Sequence, residues 1–74
     1  MTPEELRAIL DRLALSQTAA APLLGASASR VHRWASGAEE IARSAVLLLR
    51  LFDTVPGALD AARAEAFRLT KSAA

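Results

Sequence analysis

The sequence predicts an all-α protein, and three observations carry that prediction. Of its 74 residues 53% are hydrophobic, mostly Ala and Leu, which favour helix, and runs of β-branched residues that would favour strands are absent. Apolar residues recur at helical rather than alternating spacing along the chain. Residues that start or stop helices separate these stretches, among them Thr2, Ser16, Gly25, Ser27, Gly37 and Pro56.

Thr2-Pro3-Glu4-Glu5 reads as a helix start, with Thr2 as N-cap, Pro3 at the first helical position and Glu5 returning a hydrogen bond as in a capping box. Leu6, Ile9, Leu10 and Leu13 give helix 1 one apolar stripe, and Arg7, Asp11 and Arg12 mark its other face. Ser16 opens a short helix 2 through Leu24, which Gly25 ends in a left-handed conformation. Pro22 lies inside that helix, where it removes one backbone hydrogen bond, so a bend is expected. Ser27 caps helix 3, which runs through about Ala35 and is closed by Ser36-Gly37. A longer helix 4 is expected from about Glu39 to Asp53, with Glu39-Glu40 as a favourable acidic pair at its start. Ile41, Ala45, Leu48, Leu49 and Phe52 line one face of it, and Leu47 and Leu51 form a second strip. Thr54-Val55-Pro56-Gly57 breaks it, and helix 5 then runs to about Thr70, with Leu59, Ala62, Ala66 and Leu69 on one side and Arg63 and Phe67 near the margin. The last four residues, from Lys71, are expected to fray. The chain reads as one domain, with a core at 1–53 and a C-terminal helix at 54–74.

Several functional classes are disfavoured. There is no cysteine and only one histidine, His32, so neither a disulfide framework nor a thiolate or histidine-rich metal site is expected, and no cofactor. No carboxylate pair, nucleophile–base set or phosphate-binding glycine loop suggests an enzyme. No apolar run reaches the roughly 20 residues that span a bilayer, and Thr-Pro-Glu-Glu is the reverse of a basic signal-peptide start, so a cytoplasmic location is expected. The net charge is only +1, yet no Asp or Glu occurs between Asp11 and Glu39, an interval that holds Arg12, Arg30, His32 and Arg33. One local surface is therefore expected to be positive.

Two short helices joined by a glycine turn form a supersecondary unit with fixed spacing. Ala21 precedes Gly25 by four residues, and Val31 and Trp34 follow it by six and nine. Ala21 must be small where helices 2 and 3 cross, Gly25 admits the left-handed turn, and Val31 and Trp34 share the face that buries helix 3 against helices 2 and 4. At about 100° per residue the opposite face carries Ser29, His32, Arg33 and Ser36, with Ala28 and Arg30 at its edges, and it is free of acid and of large apolar residues.

The segment from Gln17 to Trp34, with the following Ala35-Ser36-Gly37, resembles the helix-turn-helix of the phage-repressor-like (Xre/Cro) family and its usual Trp-x-x-Gly ending. The resemblance covers helices 1 to 4, about two thirds of the chain. It implies a five-helix lambda-repressor-like fold that binds double-stranded DNA, with helix 3 in the major groove. On that reading Ala28, Ser29, His32, Arg33 and Ser36 face base edges, and Ser16, Gln17, Thr18, Ser27, Arg30 and Arg43 face phosphates. Trp34 is read as core rather than as a base-stacking aromatic.

One recognition helix reads few base pairs, so a homodimer on an inverted repeat is expected. Its interface is placed on Leu47, Leu51, Leu59, Ala62, Ala66 and Phe67. The function that follows is an autoregulatory repressor, similar to small phage or operon-encoded repressors, including those found beside anti-CRISPR genes. The alternative is an antitoxin with a toxin protein as partner, because Leu48-Leu-Arg-Leu-Phe-Asp-Thr-Val-Pro looks like a segment that follows the helix-turn-helix in some antitoxins. A domain using the fold only for protein contacts would instead present an apolar or acidic helix-3 face.

Overall fold

The structure, a computed structural model, describes residues 1–72. Among the described residues the chain is all-helical, without strands. It runs α1 (Pro3–Arg12), α2 (Gln17–Leu23), α3 (Ala28–Ser36), α4 (Arg43–Thr54) and α5 (Ala58–Ser72). Helix α5 thus passes the expected end at Thr70. Of the tail expected to fray, residues 73 and 74 lie outside the described residues.

The helix starts follow the capping chemistry of the sequence. Thr2 accepts from the Glu5 amide at 3.1 Å while its own amide donates to the Glu5 carboxylate at 3.1 Å, a complete capping box with Pro3 at the first position. Ser16 and Ser27 accept from the amides of Ala19 and Arg30 at 3.0 and 3.1 Å. Helix α2 continues through Pro22 to Leu23. Pro22 and Thr18, whose carbonyl loses its helical donor, are both exposed.

The end of α1 carries no glycine. Ala14 adopts φ +55°, and the amides of Ala14 and Leu15 donate to the carbonyls of Asp11 and Leu10 at 3.0 and 2.9 Å. This is a Schellman closure built on alanine. The end of α2 repeats it with Gly25 at φ +65° and the Ala26 amide on the Ala21 carbonyl at 3.0 Å.

Helix α4 begins at Arg43, four residues after the expected start at Glu39. The apolar periodicity was misleading at this point. Ile41 stands four residues before Ala45, as it would in a helix, but it reaches the core from the loop, where it is 9% exposed. Glu39 is consequently not an N-terminal helix acid; it turns back onto α3.

The core consists of Leu6, Ile9 and Leu10 from α1, Ala20, Ala21 and Leu24 from the α2 segment, Val31, Trp34 and Ala35 from α3, Ile41, and Ala45, Leu49 and Phe52 from α4. Among the described residues no polar or charged side chain is buried. Helices α2 and α3 pack most closely, which the small Ala20 and Ala21 permit. Helix α1 also supports α3, and Val31 and Trp34 share one core cluster with Ala45, Leu49 and Phe52 of α4. Arg7 of α1, read from sequence as a solvent-facing charge, donates to the Ala35 carbonyl and so sets a cation at the C-terminal end of α3. Arg12 grips Asp53 with two hydrogen bonds, at 3.1 and 2.7 Å, tying α1 to the end of α4. Helix α5 lies across α2 and α4, and Ala58, Leu59 and Ala62 pack against the core. No described helix is long and apolar enough to cross a membrane.

Candidate nucleic-acid interface

The outer face of α3 follows from what its inner face buries. Val31, Trp34 and Ala35 are 0, 1 and 3% exposed. At about 100° per residue this directs Ser29, Arg33 and Ser36 outward, with His32 on one flank and Arg30 on the other; all five are exposed, and Ala28 is half-buried at the margin.

The His32 flank meets α2. Nδ1 of His32 donates to Oε1 of Gln17, the first residue of α2, so the start of α2 and the middle of α3 share one surface. Thr18 is exposed beside Gln17. Ser16 and Ser27 use their hydroxyl oxygens as caps and keep a hydroxyl hydrogen to donate. Ser36 is more committed. Its hydroxyl donates to the Arg33 carbonyl at 3.1 Å and accepts from the Ala38 amide at 3.4 Å, which makes it part of the α3 terminus.

The Arg30 flank is where the sequence reading missed a residue. The α3 face was expected to be free of acid, and within the helix it is. The loop after Gly37, however, returns Glu39 to it. Oε2 of Glu39 accepts from Nε of Arg30 at 2.9 Å and from Nε1 of Trp34 at 3.0 Å, and Oε1 accepts from Nε of Arg33 at 3.1 Å. The guanidinium of Arg30 also lies over the Trp34 ring, 5.5 Å from its centroid. The hydrogen bonds from Arg30 and then Arg33 hold the Glu39 carboxyl at a pKa of about 2. The expected positive patch is therefore two arginines partly neutralised by one acid. The signal in the sequence was Gly37 as a helix terminator with an acid two residues later, near enough to fold back.

Arg43 is exposed at the first position of α4, and among the described residues it has no carboxylate within ion-pair distance. Its helix has Ala42 as N-cap and no side-chain cap, so among the described residues no side chain pairs with the first amides of α4.

The six residues assigned to a dimer seam divide in two. Leu59, Ala62 and Ala66 are half-buried; the first two serve the chain's own core, and Ala66 lines a groove of about 360 Å³ between α2 and α5. Leu47, Leu51 and Phe67 are 62, 42 and 70% exposed, and Val55 and Leu69 add further exposed apolar surface. Phe67 lies along the same α2–α5 groove, with Leu15 and Leu23 opposite. Among the described residues no three His, Cys, Asp or Glu side chains are grouped as metal ligands would be. No protein-family model, curated protein or solved structure matches the chain.

Proposed function

We propose that this protein is a sequence-specific repressor that binds double-stranded DNA through α2 and α3, a helix-turn-helix within a lambda-repressor-like fold. The observation that carries the reading is the shared surface of Gln17, His32 and the outer face of α3. It is polar, largely exposed, bordered by arginines and backed by the buried core. In the major groove, α3 would direct Arg33 at a guanine, the commonest specific contact, with Ser29 and His32 making single hydrogen bonds and Ala28 touching a thymine methyl. Ser16, Gln17 and Thr18 at the α2 N-terminus would hold one phosphate, and Arg43 with the open amides of α4 another. Ser27 and Arg30 stand at the margin of the same strand.

With so few cations a single copy binds weakly, so the repressor acts as a homodimer on an inverted repeat. It represses by occupying the promoter of its own operon and needs no effector. The exposed Leu47, Leu51 and Phe67 supply the apolar contact between copies. A second reading rests on the same residues: in an antitoxin that surface would hold a toxin protein.

The experiment is a mobility shift with the DNA upstream of the protein's own gene, using the wild-type chain and Arg33→Ala. The variant should lose about 5- to 150-fold in affinity for that DNA, as expected for a bidentate base contact of about 1–3 kcal/mol, with unchanged helical circular dichroism. Equal affinity after the substitution would remove Arg33 from the base-reading set.

A further inference from the structure

Glu39 is the sole acid in contact with Arg30 and Arg33 among the described residues, and the proposed function gives it no role. Its arrangement differs from a casual surface ion pair in three ways. Both carboxylate oxygens are used, one on each arginine. The third donor, Trp34 Nε1, belongs to a side chain that is 1% exposed, so the carboxylate is anchored to the core. The loop is also shaped to deliver it: Gly37 turns at φ +84°, and the amides of Ala38 and Glu39 both donate to the Arg33 carbonyl, at 3.0 and 3.3 Å. Both arginines are held through Nε, which leaves the terminal amino groups of each guanidinium to other acceptors.

We infer that Glu39 is the positioning residue that sets how strongly this face discriminates among DNA sequences. The inference rests on the reading of α3 as the DNA-binding helix. Two effects act together. An anion fixed on the face repels phosphate whatever the base sequence, so it weakens non-specific binding. The same anion holds Arg33 in one orientation, so less side-chain entropy is lost when its terminal amines meet a base edge. Operator binding gains from the second effect; random DNA feels mainly the first.

The test compares the wild-type chain with Glu39→Gln and Glu39→Asp by fluorescence anisotropy across a salt series. One duplex comes from the upstream region of the protein's own gene, and the other has the same length and a random sequence. Glu39→Gln removes the charge and keeps the size. It should bind the random duplex about fivefold more tightly near physiological salt, with a salt slope steeper by about one, the effect of one charge. Its operator-to-random affinity ratio should fall. Glu39→Asp keeps the charge but falls short of the arginines, so it should lose operator affinity without gaining on random DNA. Emission from Trp34, the only tryptophan, reports in the free protein whether the carboxylate contact is made.

Unchanged random-duplex affinity and an unchanged ratio in Glu39→Gln would overturn the inference while leaving the DNA-binding reading intact. Failure of the wild-type chain to bind either duplex would overturn the DNA-binding reading, and this inference with it.

Discussion

Trp34 carries two tasks on one side chain: its ring body fills the core while its Nε1 edge reaches out to hold Glu39. Truncation to alanine removes both. Trp34→Ala should lose about 3–5 kcal/mol, comparable to the whole stability of a small domain, and thermal melts followed by circular dichroism should find it largely unfolded. A folded variant that still bound DNA would mean the core lies elsewhere. Residue type and spacing alone identified Ala21, Gly25, Val31 and Trp34, because each answers a steric demand that recurs wherever two short helices cross. Glu39 was not legible in that way. Two consecutive acids ahead of an apolar stretch look like the start of a helix, and only the path of the loop reveals their partners. Its titration supplies a second prediction. The folded-state pKa of about 2 lies below the ordinary 4.5, so the contact contributes stability that is fully present above about pH 4.5 and is lost as pH falls toward 2. The carboxyls of Glu5, Asp53 and Glu65 are lowered as well, by hydrogen bonds from Thr2, Arg12 and Arg68. Urea midpoints should therefore decline from pH 5 to pH 2.5, and Glu39→Gln should flatten part of that decline. A slope identical in the variant would show that the Glu39 contact does not persist in solution.

At the scale of elements, starts were more legible than ends. Thr2, Ser16 and Ser27 announce α1, α2 and α3 because a capping hydroxyl has few other reasons to precede an apolar stripe. Helix α4 has Ala42 at its N-cap and announces nothing, so Ile41 drew the expected boundary too far forward. The end of α1 was silent for a related reason: the left-handed position that glycine usually marks is held by Ala14 at φ +55°. An L-residue there is disfavoured by about 1–2 kcal/mol, partly offset by the greater unfolded-state entropy that glycine would bring. Ala14→Gly should accordingly stabilise the protein by about 0.5–1 kcal/mol. The check is the denaturation midpoint at constant slope, and a midpoint equal to or below the wild type would mean that the closure relaxes in solution. The α1–α2 link would then be softer than its hydrogen bonds imply.

For the molecule as a whole, the radius of gyration of 11.8 Å is close to the roughly 11.3 Å expected of a compact chain of this length. Even so, five large apolar side chains among the described residues stay exposed. Periodicity within each helix separated Leu47 and Leu51 from the core face of α4, but it could not say which helices adjoin. That α5 would lie on α2 and use Leu59 and Ala62 inward was therefore not readable, which leaves Leu47, Leu51 and Phe67 as the exposed members of the expected seam. The narrower seam makes a sharper prediction. Leu47 and Leu51 lie one turn apart on the outer side of α4, 62 and 42% exposed, so the double substitution Leu47→Asp, Leu51→Asp should leave the monomer folded at a cost of about 1–2 kcal/mol, mostly lost helix propensity and partial burial. If these leucines join two copies, sedimentation at micromolar concentration should find the wild type dimeric and the variant monomeric, with the same circular dichroism. Operator affinity should fall as dimerisation is lost, because each binding unit then brings one recognition helix instead of two. The two aspartates also take each copy from a net charge of +1 to −1, which weakens random DNA binding as well, so the operator-to-random affinity ratio is the quantity that isolates the loss of dimerisation. A wild-type chain that sediments as a monomer, alone and on DNA, would refute the dimer and leave this surface to a different protein, the outcome that favours the antitoxin reading.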